Sequence, residues 1–415
     1  MTSMRWRSGL LIIATAVAFI AGVWVTYTSF TSRYPGGNDF YPRWVGGCAF
    51  LREGLDPYSE AATLRIQEGI YGRPARADED QMAFAYPLYG LVFFWPLCFT
   101  ENYPLVQAIW LWLLLASLLI ALMLWKQVIH WNPPSAVWVL TVLWSVFLYQ
   151  DFRALMLGQL VVLVFLAIMA ALWAMQRHHD GWAGLFLALT TVKPQVVCLA
   201  IPWIMLWAAG QRRWRLWWSF GLSLISLLAG ATILLPTWIF GFVRQILAYP
   251  SYTKYGSLTW MVVHYWLGLG QPVEMAVLIV LAVVALVLAR RLWRGTWDQM
   301  LWMLGLLLLL TDFFLPRVGT PYYLFLVPWA IWSFSWMQRV WKRFGTWVMM
   351  AWMGISLVGL WVLFVTTVKG NSEQVPVHFP FPAMVALLLA WLWKRIKVGQ
   401  DGSSINAVDA QSTLC

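Results

Sequence analysis

The chain has 415 residues, of which 61% are hydrophobic and only 11% are charged. Ordinary soluble domains are about 45–50% apolar and about 25% charged, so this composition excludes an arrangement of two or three soluble domains. Apolar runs long enough to cross a hydrocarbon layer of about 30 Å recur along the whole chain. We therefore predict an all-α integral membrane protein, with a single polytopic domain over residues 1–398.

The apolar runs predict about 10–12 transmembrane helices. In chain order, the predicted crossings are 9–30, 104–125, 135–149, 158–176, 182–192, 195–210, 214–235, 273–290, 298–315, 321–337, 345–366 and 379–394. The pair 182–192 and 195–210 is short and has Lys193 and Pro194 between its members, so it either crosses twice or forms a re-entrant hairpin. The tail 399–415 is polar and rich in small residues, which predicts disorder.

The basic residues set the predicted orientation. With the N-terminus inside, 16 of the 28 Lys and Arg residues but only four of the 17 acidic residues lie on the cytoplasmic side. Basic residues concentrate in cytoplasmic loops, so this orientation obeys the positive-inside rule. We predict a multi-pass protein of a bacterial-type inner (plasma) membrane with both termini cytoplasmic. The net charge of +11 then reflects orientation and predicts no nucleic-acid partner.

Two long outer loops follow from this topology. The first, 31–103, contains two helix-like amphipathic stretches and a proline-broken apolar segment that we interpret as interfacial or re-entrant. The second, 236–272, is rich in aromatic and basic residues. Of the four cysteines, Cys48 and Cys98 both fall in the first loop and could form a disulfide. We favour the alternative that both are unpaired and serve as small hydrophobic residues.

Asp39 is the sharpest candidate for chemistry. It follows the first predicted helix and precedes Phe40 and Tyr41. A carboxylate at the mouth of a membrane cavity can serve as a general base. Equally, Asp39 could cap a helix beginning near Pro42, and the sequence leaves both readings open.

A group of cations also falls at the outer ends and loops. Its members are Arg153, Lys193, Arg244, Lys254 and Arg317. They could bind a phosphate or could simply extend to outer lipid headgroups. Lys193 fits the lipid-headgroup alternative least well. It lies between two short apolar helices, where a charge raises the free energy of membrane insertion by about 2.5–3.5 kcal/mol.

Several polar pairs mark other outer turns. Gly158-Gln159 could approach a ligand or form a tight turn, and Asp312 and Thr320–Tyr323 mark a further turn. His264 and His378 are isolated outer histidines, a pattern more typical of surface hydrogen bonding than of catalysis. No His, Cys or Asp cluster has metal-ligand spacing, and no glycine motif of nucleotide-binding proteins is present.

The order of these motifs resembles glycosyltransferase family 87, a group of polyprenol-phosphate-mannose-dependent enzymes of the GT-C superfamily. The shared elements are Asn38–Tyr41, Glu53–Tyr58, Phe84–Pro87, Gly158-Gln159 and Lys193-Pro194. The resemblance extends from the first helix to about residue 340. It implies a GT-C-like helical bundle and an inverting hexosyltransferase, most simply a mannosyltransferase.

The resemblance also implies roles for individual residues. Asp39 would be the catalytic base, and the donor phosphate would meet Lys193, Arg153 and Arg317. The substrate cavity would include the following residues: Tyr41, Tyr86, Gln159 and His264. The partners would be a polyprenyl-phosphate sugar and a glycolipid or glycan acceptor of the cell envelope, without metal or cofactor.

Other functions remain compatible with the sequence. A lipid-linked glycan transporter or flippase would share the many crossings and the broken helix pair. A glycan ligase or polymerase using lipid-pyrophosphate donors would share the outward cationic site, and a structural scaffold is a third alternative. The concentration of acidic residues and candidate ligands on one face favours an enzyme over a transporter.

Overall fold

The computed structural model describes the backbone of residues 2–249, 256–370 and 373–412, with side chains described over 13–249, 256–370 and 373–396. These residues form helices and turns and contain no β-strand. The predicted all-α fold class is therefore confirmed.

The α-helices account for most of the described residues. They are α1 (Thr2–Thr26), α2 (Tyr41–Glu53), α3 (Glu60–Tyr71), α4 (Tyr103–Val128), α5 (Ser135–Phe147), α6 (Tyr149–Met156), α7 (Val161–Gln176), α8 (Asp180–Thr190), α9 (Pro194–Val197), α10 (Ala200–Gly210), α11 (Trp214–Leu234), α12 (Trp238–Ala248), α13 (Leu258–Trp260), α14 (Gln271–Leu292), α15 (Trp297–Phe314), α16 (Val327–Thr367) and α17 (Pro380–Ser412). π-Helical turns at Tyr27–Thr31 and Met261–Trp266 extend α1 and α13, and short 3₁₀ segments occur at Leu88–Phe93, Trp95–Phe99, Thr320–Leu326 and Val375–His378.

The chain divides into two compact units, which we call the first and second units. The first unit comprises residues 1–120, 153–166 and 225–253, and the second comprises 121–152, 167–224 and 254–415.

Seven helical stretches among the described residues are long and apolar enough to cross a membrane, and an eighth is present if α5 and α6 form one span bent by 59°. Shorter apolar helices are α7, α10 and α12. The chain is therefore a multi-pass membrane protein. Fewer helices reach full spanning length than the 10–12 predicted, because several apolar runs are broken into pieces.

The broken pair around Lys193 is one such case. α8 and α10 have 11 residues each, and Lys193 and the single-turn α9 lie between them. A helix of 11 residues is about 16 Å long, roughly half of a 30 Å hydrocarbon layer. Two helices of this length fit a re-entrant hairpin better than two complete crossings.

α16 contains a second break. Lys342 has φ +48° and ψ −122°, so the 41-residue helix is interrupted there, between the two spans predicted at 321–337 and 345–366. The backbone comes unusually close at this turn, since a Cβ on Gly345 would lie 2.0 Å from the carbonyl oxygen of Met337. Only glycine permits that approach.

The loop predicted as the first outer loop, residues 31–103, contains the two predicted helices, α2 and α3. The Ser59 side chain accepts a hydrogen bond from the Ala62 N–H at the start of α3, and Gly72 ends it with φ +67°. Cys48 of α2 forms a disulfide with Cys98. Our preference for isolated cysteines was therefore wrong at these positions, since the pairing depends on the fold of a 50-residue loop that spacing alone does not reveal.

Two further segments of the chain contain helices. The predicted second outer loop contains α12, because Trp238–Ala248 is an apolar segment without proline. One side of this helix packs against the loop 31–103. A Cβ on Gly241 would lie 2.7 Å from Cβ of Tyr58. α17 extends from Pro380 to Ser412, and no proline follows Pro382 to end it. The disorder expected for residues 399–415 stays a prediction.

Candidate active site

A tight turn in the first unit presents Asp39. Gly37 adopts φ +68°, and the N–H groups of Phe40 and Tyr41 both donate to its carbonyl. The Tyr103 hydroxyl of α4 donates to the Gly36 carbonyl at 2.8 Å, and the Gly36 N–H donates to Oε1 of Gln107 at 3.1 Å. The turn is thus tied to α4 before α2 begins.

The residue after Asp39 anchors the turn in the core. Phe40 is fully buried, and its ring stacks on that of Trp110 with centroids 4.3 Å apart. The Trp110 indole N–H donates to the Gly158 carbonyl at 2.9 Å. Gly158 has φ +70°, and a Cβ there would lie 2.7 Å from Cβ of Phe40. Glycine is therefore required at 158 both by backbone conformation and by space.

The turn at Gly158 brings Gln159 to the Asp39 carboxylate. The Gln159 side-chain amide donates a short hydrogen bond to Oδ2 of Asp39. The Asp39 backbone is held as well, because its N–H donates to the Leu157 carbonyl at 3.1 Å and its carbonyl accepts from the Arg43 guanidinium. A carboxylate fixed at one oxygen keeps its orientation while the other oxygen can accept a proton.

Asp39 does not cap a helix in the structure. The N-cap residue of α2 is Phe40, and no side chain caps the helix. Asp39 is half-buried, and no residue in the described part of the chain donates to its Oδ1. Its side chain is therefore available for a ligand.

Tyr41 and Tyr86 both lie near this turn in the first unit. The Tyr41 ring packs edge-on against Tyr103 at 4.7 Å, and burial raises the pKa of the Tyr41 phenol above its ordinary value although the charge of Arg65 opposes the shift. The Arg43 guanidinium lies 4.5 Å from the ring centroid of the buried Tyr86. Arg43 therefore links the Asp39 carbonyl to Tyr86, a role that we did not predict.

Lys193 occupies a buried position in the second unit. Its side chain is only 3% exposed, and its ammonium lies 4.5 Å from the ring centroid of Tyr322. An aromatic face stabilises a desolvated ammonium. A buried cation of this kind attracts an anion more strongly than a solvated one does.

The remaining predicted residues are distributed over both units. Arg153 lies half-buried on α6 in the first unit, and Arg317 lies half-buried after α15 in the second. His264 contacts Glu274 through Nε2 at 2.9 Å and stacks on Trp260. The geometry thus joins Gln159 to Asp39 directly and gives His264 an acidic partner of its own. Lys254 lies outside the described residues.

Sequence reasoning missed a buried polar cluster in the second unit. Glu373 accepts hydrogen bonds from the hydroxyls of Tyr149, at 2.6 Å, and Thr320, while His378 contacts both Glu373 and the Tyr323 hydroxyl. All five side chains are at most 9% exposed. The Thr320–Tyr323 turn was a signal, but Glu373 and Tyr149 are 224 positions apart and no spacing rule connects them.

No group of three or more His, Cys, Asp or Glu side chains within the described ranges is placed to hold a metal ion. Whether the reaction is independent of cofactors stays a prediction.

The fold and the Asp39 turn define a multi-pass helical membrane protein with an oriented carboxylate outside its long spans. A sequence model of Glycosyltransferase family 87 matches residues 84–315, more than half of the chain. The chain therefore belongs to this family and is a glycosyltransferase. No curated protein and no solved structure matches it. The matched segment contains Gln159 and Lys193, whereas Asp39 lies before it, so its role is argued from geometry.

Proposed function

We propose that this enzyme transfers a hexose, mannose in the simplest case, from a polyprenyl-phosphate sugar to a glycolipid or glycan acceptor on the non-cytoplasmic face of the membrane. The observation that carries the proposal is the Asp39 carboxylate held at Oδ2 by Gln159. Membership of a glycosyltransferase family supports the reaction class. The sugar, the donor lipid and the orientation are parts of the proposal.

Asp39 acts as the general base. It accepts the proton of the acceptor hydroxyl as that oxygen forms a bond to the anomeric carbon. The bond from this carbon to the donor phosphate oxygen breaks, and the polyprenyl phosphate leaves with the electron pair. Attack opposite the leaving group inverts the anomeric configuration. One carboxylate is sufficient, because a phosphate leaves without the acid partner that a glycosidase supplies.

Lys193 stabilises the charge that develops on the leaving phosphate, with Arg153 and Arg317 as further donors. Its burial supports this role, because electrostatic stabilisation is largest where water is excluded. Arginine adds bidentate hydrogen bonds to phosphate oxygens. The base accounts for only part of the reduction in the activation barrier. Electrostatic stabilisation of the leaving phosphate would supply much of the rest.

Purified protein reconstituted in vesicles tests the proposal. Radiolabelled polyprenyl-phosphate mannose and the corresponding pyrophosphate donor are supplied in parallel with a panel of glycolipid acceptors. We expect a covalent, anomerically inverted product from the monophosphate donor alone. Product from the pyrophosphate donor instead would make the enzyme a ligase or polymerase. Movement of labelled lipid across the bilayer without product would make it a flippase.

A further inference from the structure

An apolar cavity of about 280 Å³ lies beside the Asp39 turn, entirely within the first unit. Its lining includes Gly37 and Phe40, on either side of Asp39, and Gly158, which precedes Gln159. Phe30 and Tyr34, at the outer end of the first span, complete the wall and are 41% and 64% exposed. The cavity therefore borders the turn that carries Asp39 on one side and the end of a membrane span on the other, although Asp39 itself is not among its lining residues.

Several polar groups of the cavity wall are already paired inside the protein. Gln107 accepts from Gly36, the Gly36 and Gly37 carbonyls accept from Tyr103, and the Trp110 N–H donates to Gly158. What remains for an occupant is mostly aromatic and aliphatic surface. Apolar cavities stay dry and take up apolar molecules, and one of about 150 Å³ already holds benzene. This cavity is larger and suits a segment of hydrocarbon chain.

We infer that this cavity binds an alkyl chain of the acceptor, so that the acceptor is a membrane-anchored glycolipid and not a soluble glycan. The inference rests on the proposed function, because it takes Asp39 as the group that meets the acceptor. A chain held between Phe30 and Trp110 would place its headgroup near the Asp39 turn. Binding energy from this remote part of the acceptor would serve to orient the hydroxyl.

Filling the cavity tests the inference. Leu111 of α4 lines the cavity, and Leu113 on the same helix is exposed and does not. Leu111→Trp should raise KM for dodecyl mannoside about tenfold, or 1.4 kcal/mol, which corresponds to about two lost methylene contacts. KM for methyl mannoside and for the donor should not change. Leu113→Trp is the matched control, and Met156→Phe fills the cavity from α6 if Leu111→Trp does not fold.

Three outcomes of this assay overturn the inference. An unchanged KM for dodecyl mannoside in both cavity-filling variants means that the cavity holds no acceptor chain. An equal rise for methyl mannoside means that the variants distort the Asp39 turn. A rise in KM for the donor assigns the cavity to the polyprenyl chain.

A binding measurement separates this inference from the proposed function. Dodecyl mannoside carrying a diazirine in its chain is photolysed with the reconstituted wild-type protein, and labelled peptides are mapped by mass spectrometry. Labelling of the cavity wall that is lost in Leu111→Trp and kept in Leu113→Trp supports the inference, even if wild-type protein transfers no sugar. Absence of labelling there overturns it, even if transfer is observed.

Discussion

Asp39 is half-buried in a turn of the first unit, whereas Lys193 is 3% exposed within the second. The position of Asp39 is set by backbone hydrogen bonds, two left-handed glycines and the Gln159 amide. That of Lys193 is set by burial and by the ring of Tyr322. In the proposed mechanism Asp39 is the base, and it must be accessible to an acceptor that binds and leaves in each turnover. The proposed role of Lys193, stabilisation of a phosphate charge, is favoured by exclusion of water.

The largest expected effect comes from removing the carboxylate charge. Asp39→Asn keeps the shape of the side chain but cannot take up the acceptor proton, so we expect kcat to fall about 10²- to 10⁴-fold. Donor affinity should stay nearly unchanged. Single-turnover transfer and donor binding are measured on the same preparation. Asp78→Asn, an exposed acid of the same loop, is the control, and full activity of Asp39→Asn would remove Asp39 as the base.

The first unit should also depend on its covalent cross-link. Replacing both Cys48 and Cys98 with alanine opens a closed loop of 50 residues and should lower the free energy of local unfolding of the first outer loop by about 2–4 kcal/mol. Native-state proteolysis of the loop measures this change. Cys198→Ala removes a free cysteine of the second unit and should have no such effect. Equal proteolysis of all three proteins would contradict the prediction.

Lys193→Ala should weaken the donor complex more than the acceptor complex. Loss of one charged hydrogen-bonding group corresponds to about 1.5–3 kcal/mol, or roughly 10- to 100-fold in donor Kd. Displacement of a fluorescent polyprenyl phosphate gives the affinity. Lys126→Ala is matched, because the Lys126 ammonium also lies over an aromatic ring, 4.9 Å from the centroid of Trp138. Unchanged donor affinity would leave Lys193 with a structural role alone.

The smallest effect is expected from the amide that orients the base. Gln159→Leu removes the hydrogen bond to Oδ2 of Asp39, and we expect kcat to fall about fivefold, in line with one hydrogen bond of about 1 kcal/mol. Both KM values should remain near wild type, because Gln159 acts through Asp39. A change in KM for the acceptor without a change in kcat would instead place Gln159 against the substrate.

The sequence indicated much of the candidate site but not its connections. Asp39, Gln159 and Lys193 were selected from local context: a loop after a span, a Gly-Gln pair and a proline-broken helix. The hydrogen bond from Gln159 to Asp39 joins positions 120 residues apart. Such a contact depends on how α2, α4 and α6 pack, which no local pattern encodes.

By itself the sequence determined the all-α class and the approximate positions of most helices, because apolar run length and helix-ending residues act over a few turns of chain. The tertiary structure decided which loop residues meet. In it Cys48 forms a disulfide with Cys98, Asp39 does not cap α2, and the buried Glu373 accepts a hydrogen bond from Tyr149. These outcomes depend on packing and on satisfying buried polar groups across the whole chain, so they follow from the complete fold and not from any segment of it.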